Sequence, residues 1–237
     1  MTVVVWHDLE CGAYAEDLAL WRELAGAGPV LDLGCGTGRV ALDLARHGVE
    51  VVALDRDAEL LAALRDRAGG LPVETVVADA RDFDLGDRRV ALVIVPMQTL
   101  QLLGGEEGRA AFLRAAHRHL EPGGLLAAAV ADPLDGFDEE HTEPPLPDMR
   151  EIEGTVYHSQ VVGVRAWPEA TRIERVRQSV DASGRHTRED NVVTLDRVDA
   201  ATVAQEAAAL GYEALPTRRI DQTEVYVGSE VVVLCRL

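Results

Sequence analysis

The residues best placed to do chemistry are three glycines and two acids in the first eighty positions. Gly34, Gly36 and Gly38 form a Gly-x-Gly-x-Gly turn directly after the apolar run Pro29 to Leu33. Glycine admits positive φ, and without a Cβ it lets a ligand approach the backbone. The helix expected to follow would turn its free N–H groups and positive end toward that ligand, as suits a carboxylate. Asp55 ends a second apolar run about twenty residues on from Gly34, where an acid can accept from both hydroxyls of a ribose. A third run ends in Ala78-Asp79-Ala80, where a carboxylate can accept from an adenine amino group. Arg39 stands where the dinucleotide fingerprint wants its last glycine, which argues against a nicotinamide dehydrogenase.

Those positions need strands that end together. Apolar strands at Pro29 to Leu33, Val49 to Leu54, Val73 to Ala78, Val90 to Val95 and Leu125 to Ala131 alternate with amphipathic helices. Asp57 reads as the N-cap of one helix and Asp199 as that of the last. Tyr14, Leu18, Trp21 and Leu24 share one face of an opening helix. Near-continuous apolar strands between helices predict a doubly wound α/β fold, its parallel sheet covered on both faces. From Asp132 to Arg150 the chain is rich in proline and acid and reads as a loop. Strand patterns follow at Val156 to Val164, Thr171 to Val180 and Asn191 to Leu195, with a hairpin turn at Asp181-Ala182-Ser183-Gly184. The expected architecture is one domain over residues 1–237, with an antiparallel insertion over 133–196 that serves as a lid. A dimer surface is the alternative use of those strands.

Four stretches together are similar to the class I S-adenosylmethionine-dependent methyltransferases. They are Val30 to Arg39 around the glycines, Val51 to Asp55, Val77 to Phe83, and Leu120-Glu121-Pro122-Gly123-Gly124. The resemblance covers residues 10 to 132 strongly and the last helix and strands more loosely. It implies a Rossmann-like, mostly parallel seven-stranded sheet in the order 3-2-1-4-5-7-6, with strand seven antiparallel. It implies S-adenosyl-L-methionine as cofactor, with Asp32, Gly34, Gly36 and Gly38 around the methionine part. Asp55 would hold the ribose, Asp79 and Ala80 would flank the adenine, and Tyr14 would offer a ring to the sulfonium. No catalytic residue stands out. His7, Asp8, Glu10, Asp132, His141 and His158 lie near the expected mouth as candidate general bases, but a surface position is expected for each. His117 and His119 read as solvated.

Composition narrows the partners. The 237 residues hold 23 Lys+Arg, all of them arginine, against 41 Asp+Glu, for a net charge of −18. Such acidity repels a phosphate backbone, so nucleic acid is not an expected partner. Arg172 to Arg177 alternates charge with apolar residues and reads as a solvated strand face. Absent lysine excludes Schiff-base chemistry. The three cysteines have no metal-site or disulfide spacing, so no metal is expected. No apolar run approaches the length of a membrane span, and the start lacks a signal-peptide pattern. The cytoplasm is the expected location. After the fourth strand, Pro96-Met97-Gln98-Thr99 lacks the Asn/Asp-Pro-Pro-Tyr signature of amino-methylating nucleic-acid and protein-glutamine enzymes. The expected reaction is methylation of an O or N atom of a small-molecule acceptor by a monomer or homodimer. The alternative is a non-catalytic S-adenosylmethionine-binding or partner-binding protein on the same fold.

Overall fold

A computed structural model describes residues 2–132 and 146–237. The five predicted parallel strands are all present: β1 (Val30–Leu33), β2 (Val51–Asp55), β3 (Val73–Val77), β4 (Val90–Val95) and β5 (Leu120–Val130). Two further strands, β10 (Tyr212–Ile220) and β11 (Ser229–Arg236), complete a seven-stranded sheet in the order β10-β11-β5-β4-β1-β2-β3. β11 runs antiparallel to both neighbours, as the resemblance implies. β1 pairs with β2 on one side and β4 on the other, so strand order reverses around β1. The carboxyl end of β1 is therefore the switch-point crevice where open α/β sheets take ligands.

Alternating side chains of the sheet feed two cores. Leu31, Leu33, Val93 and Val95 pack with Phe112 and Leu113 of α5 (Gly105–His119) and with Val203 of α6 (Ala200–Ala208). Val30, Leu92 and Ile94 pack on the other face. There they meet Trp21 of α2 (Leu18–Ala25), Leu44 of α3 (Arg39–Arg46), and Leu61 and Leu64 of α4 (Ala58–Ala68). Every residue of β1 is buried, as a strand covered on both faces requires. Asp57 and Asp199 cap α4 and α6 as expected: Asp57 Oδ1 accepts from Glu59 N at 2.9 Å, and Asp199 Oδ1 from Thr202 N at 2.7 Å.

Between β5 and α6 the chain forms a separate antiparallel sheet. Its strands are β6 (Asp148–Ile152), β7 (Thr155–Ala166), β8 (Ala170–Val180) and β9 (His186–Asp196), in sequence order. Gln101, in a 3-10 turn at Thr99–Leu102, ties both ends of this excursion together. Its amide donates to Ala131 O and Asp196 O and accepts from Ala131 N, each at 3.0 Å. The acid- and proline-rich stretch with His141, Pro144 and Pro145 lies outside the described residues.

Three readings need correction. The opening segment is a helix, α1 (Thr2–Cys11), while Tyr14 precedes α2 and does not belong to it. β6 begins at Asp148, within the stretch read as loop, and β9 begins five residues before Asn191. His119 is buried: its Nε2 accepts from Leu85 N at 3.3 Å and its ring stacks on Phe83. No helix among the described residues is long and apolar enough to cross a membrane.

Candidate functional site

At the switch point the glycine turn has a distinct neighbour at each position. A Cβ on Gly36, whose φ is 55°, would fall 2.1 Å from His7 Nε2, so only glycine lets the α1 imidazole pack there. A Cβ on Gly38 would fall 2.1 Å from Leu64 Cδ1; this glycine allows α3 to approach α4. Gly34 N–H donates to Leu54 O at 2.8 Å, docking the turn on β2. Asp55, at the end of β2, reaches back to the turn. Its Oδ2 accepts from Gly36 N and its Oδ1 from Asp57 N, both at 2.9 Å. The carboxylate is held in place by backbone donors, and each oxygen retains lone-pair capacity for a ligand.

Asp32 is the unusual group. It is buried; the Ala41 N–H at the start of α3 favours its charge, but neither carboxylate oxygen has a partner in full hydrogen-bond geometry among the described residues. Burial pushes its pKa up to about 7, against the pull of the Arg39 guanidinium. Buried polar groups are nearly always paired, so an orphaned carboxylate at a cleft wants a donor that the protein does not supply. Arg39 itself is committed elsewhere. Its two terminal nitrogens donate to Asp17 Oδ1 and Oδ2 at 2.5 and 2.7 Å, and Trp21 Nε1 also donates to Asp17, at 2.8 Å. The guanidinium lies over the Tyr14 ring, 5.0 Å from its centroid. Asp79 pairs with Arg81, whose Nη2 lies 2.6 Å from Oδ2, and this hydrogen bond holds its pKa down to about 2.

These groups surround a cleft of about 470 Å³. Asp32, Gly34, Asp55, Asp79 and Ala80 all border it, so five of the eight expected cofactor residues meet at one opening. Gly36 is covered by His7, and Gly38 is set back against Leu64. Tyr14 is buried between Arg39 and Tyr226 and does not border the cleft. Of the candidate bases, His7 and Glu10 border the cleft and Asp8 is part-buried beside them. Asp132 borders a different cavity, and His158 lies on β7. Met97, which follows β4 into the cleft, has a φ of 55°, a conformation that an unbranched side chain seldom adopts.

The far wall was not legible as a site. Ile173 and Arg175 of β8, with Val193 and Leu195 of β9, close the cleft opposite the glycine turn. The alternation at Arg172 to Arg177 was expected to be a solvated face. Instead Arg175 faces the cleft, and Arg177 clasps Glu10 of α1 at 2.7 Å through Nε and Nη2. Arg177 also lies over the Trp6 ring, at 5.5 Å. The signal available was the strand period, which puts residues 173, 175 and 177 on one face. It could not say which face is turned inward.

Comparisons with known proteins agree with this geometry. A methyltransferase-domain family model matches residues 30–124. The chain is 38% identical over 106 residues to the cypemycin N-terminal methyltransferase of a Streptomyces species, covering 45% of this chain and 43% of that one. It is 29% identical over 136 residues to an S-adenosyl-L-methionine-dependent Diels-Alderase of Talaromyces variabilis, covering 56% and 47%. The chain thus spans about half the length of these curated relatives or less. Among solved structures, a sugar N-methyltransferase of a Streptoalloteichus species superposes with a TM-score of 0.79 at 24% identity, over 100% of this chain and 92% of that one. An amino pentose methyltransferase of Micromonospora echinaspora does so with a TM-score of 0.76 at 22% identity, over 100% and 97%. The matched segment holds the glycine turn, Asp55 and Asp79, and it resembles a methyltransferase domain of the class I, S-adenosylmethionine-dependent kind.

S-adenosylmethionine is the cofactor of that class, and the residues present fit it. Asp32 offers an unpartnered buried carboxylate to an ammonium, and Asp55 a preset acceptor pair to a ribose. Ala78, Asp79 and Ala80 border the same cleft, where the adenine would lie.

Proposed function

We propose that the protein transfers the methyl group of S-adenosylmethionine to an O or N atom of a small molecule. The observation that carries this reading is the orphaned Asp32 carboxylate in the same cleft as the preset Asp55. Together they provide acceptors for the two donor-rich ends of the cofactor. The bound cofactor supplies an already activated methyl group, so the protein's task is placement. Asp32 and Asp55 fix the donor, with Asp79 and Ala80 at its adenine. Gln98 and Thr99, after β4, position the acceptor by hydrogen bonds. Ile173, Val193 and Leu195 give the acceptor an apolar wall, and Arg175 is the cation within it.

Within the single domain, α1 and the β6–β9 sheet act as the lid, closing the cleft and excluding water. Glu10 is the strap between them, accepting from Ser159 and Arg177 at 2.7 Å. The acidity of the chain disfavours nucleic acid as acceptor. Three unpaired thiols agree with a cytoplasmic location, and a monomer or homodimer suffices for a cleft built within one chain.

A second reading, cofactor binding without methyl transfer, has one observation in its favour: a relative in sequence is named an S-adenosyl-L-methionine-dependent Diels-Alderase. One experiment separates the two. Incubation with methyl-labelled S-adenosylmethionine and a panel of small amines and alcohols should release S-adenosylhomocysteine and label at least one acceptor. Protein that binds S-adenosylhomocysteine yet produces none above the blank would refute transfer.

A further inference from the structure

Three side chains from two parts of the chain, His7 and Asp8 of α1 and Thr37 of the glycine turn, form a relay beside the cleft. Thr37, 3% exposed at the glycine turn, has its Oγ1 2.7 Å from Asp8 Oδ1 and 3.3 Å from His7 Nδ1. Asp8 is clasped by Arg67 of α4, whose Nη1 and Nη2 lie 3.0 and 2.5 Å from its two oxygens. Burial pushes the Asp8 carboxyl up, but the Arg67 and Thr37 hydrogen bonds outweigh it and hold the group below the usual carboxylate value. Asp8 is therefore ionised and can only accept, so the Thr37 hydroxyl hydrogen points to it. Thr37 Oγ1 then has only lone pairs left to face His7 Nδ1. Nδ1 must carry the ring hydrogen, which leaves Nε2, packed beside Gly36, with a free lone pair on a ring that borders the cleft.

We infer that His7 is the general base of the transfer, with Thr37 and Asp8 as positioning residues that fix its tautomer. This rests on the methyltransferase reading above. In the step, the acceptor's O–H, or the N–H of its ammonium form, gives its proton to Nε2. The electron pair left behind forms the bond to the donor's methyl carbon, and the broken C–S pair stays on sulfur. The resulting imidazolium is stabilised through Thr37 by the Asp8 carboxylate and later returns its proton to water.

The surroundings keep the resting ring neutral. Burial pushes His7 below the ordinary histidine value of 6.5. Asp8 and Glu10 on α1 and Asp55 at the end of β2 pull it up, while Arg67 on α4 pushes it down. A neutral imidazole at neutral pH is the form that a base requires.

The test has two arms. Nitrogen-15 NMR of the free protein at pH 7.5, with His7 assigned by its loss in H7N, should find hydrogen on Nδ1; hydrogen on Nε2 overturns the relay. For turnover, H7N and H7Q are compared with wild type on whichever amine or alcohol of the panel accepts methyl. Asn keeps a donor for Thr37, so a merely structural histidine would be rescued by H7N. A base would not: kcat should fall about a hundredfold or more. S-adenosylhomocysteine affinity should stay within about threefold, and with S-adenosylmethionine saturating, the acid limb of kcat/KM for the acceptor below pH 6.5 should vanish. H7N with wild-type kcat and an unchanged acid limb overturns the base alone. A wild type that labels no acceptor overturns the transfer reading, and the base with it.

Discussion

Asp55 and Asp57 are two residues apart and both border the cleft, and the proposed function gives them different duties, so a paired substitution separates binding from stability. Asp55 presents its carboxylate to the cleft, where two ribose hydroxyls would donate to it. Hydrogen bonds to a charged acceptor contribute about 1.5–3 kcal/mol, and 1.4 kcal/mol is tenfold in affinity. Asp55→Ala should therefore weaken S-adenosylhomocysteine binding by about ten- to a hundredfold. Asp57 instead spends its Oδ1 on Glu59 N and Leu60 N at the start of α4. Loss of an N-cap costs about 1 kcal/mol, or roughly 2–4 °C in Tm for a chain of this size. Asp57→Ala should lower Tm by that amount and leave affinity within about twofold. Isothermal calorimetry and thermal unfolding of both variants decide the matter. An Asp57→Ala that loses more affinity than Asp55→Ala would refute the placement of the ribose site.

Three further outcomes follow from particular contacts. Gly38→Ala should destabilise by about 1–3 kcal/mol by overpacking against Leu64. In urea unfolding, Gly38→Ala/Leu64→Ala should lose clearly less than the sum of its singles, and strict additivity would refute the contact. Asp32 has a folded pKa near 7, above its unfolded value, so the free protein should lose stability as pH rises from about 4 to 7, by up to about 1.4 kcal/mol per unit. Asp8, Glu10 and Asp79 are shifted the opposite way and act only at lower pH. Since an ammonium needs the ionised carboxylate, S-adenosylhomocysteine affinity should climb between pH 5.5 and 7.5 in wild type and stay flat in Asp32→Asn; a flat wild type contradicts the contact. Ligand should slow hydrogen exchange in Trp6 to Tyr14 and along β6 at fixed protein concentration. Protection that follows protein concentration and ignores ligand would make that surface an interface and not a lid.

The parts of the site that were legible are those fixed by local pattern. A buried strand, a glycine turn and an acid at the next strand's end are separated by short distances in sequence, and each has its own backbone reason. Asp57 and Asp199 were readable as caps for the same reason. What could not be read depends on contacts across the chain. α1 begins with the β-branched run Val3-Val4-Val5, poor in helix propensity, and nothing local marks it. It is held by Trp6 against Tyr157 and Arg177, by Asp8 against Arg67, and by Glu10 against Arg177. Arg39 could be seen to break the dinucleotide pattern, but its partner Asp17 lies 22 residues away. That pairing draws Arg39 over Tyr14, so the ring expected at the sulfonium meets a guanidinium instead. Arg175 and Arg177 looked solvated because alternation fixes which residues share a face, not what covers it.

The central claim is that the cleft holds S-adenosylmethionine, and calorimetric titration tests it most directly. Wild-type protein titrated with S-adenosylmethionine, S-adenosylhomocysteine, NAD and NADP should bind the first two at one site per chain and show no heat of binding with the others. Binding of NAD tighter than that of S-adenosylhomocysteine would contradict the account.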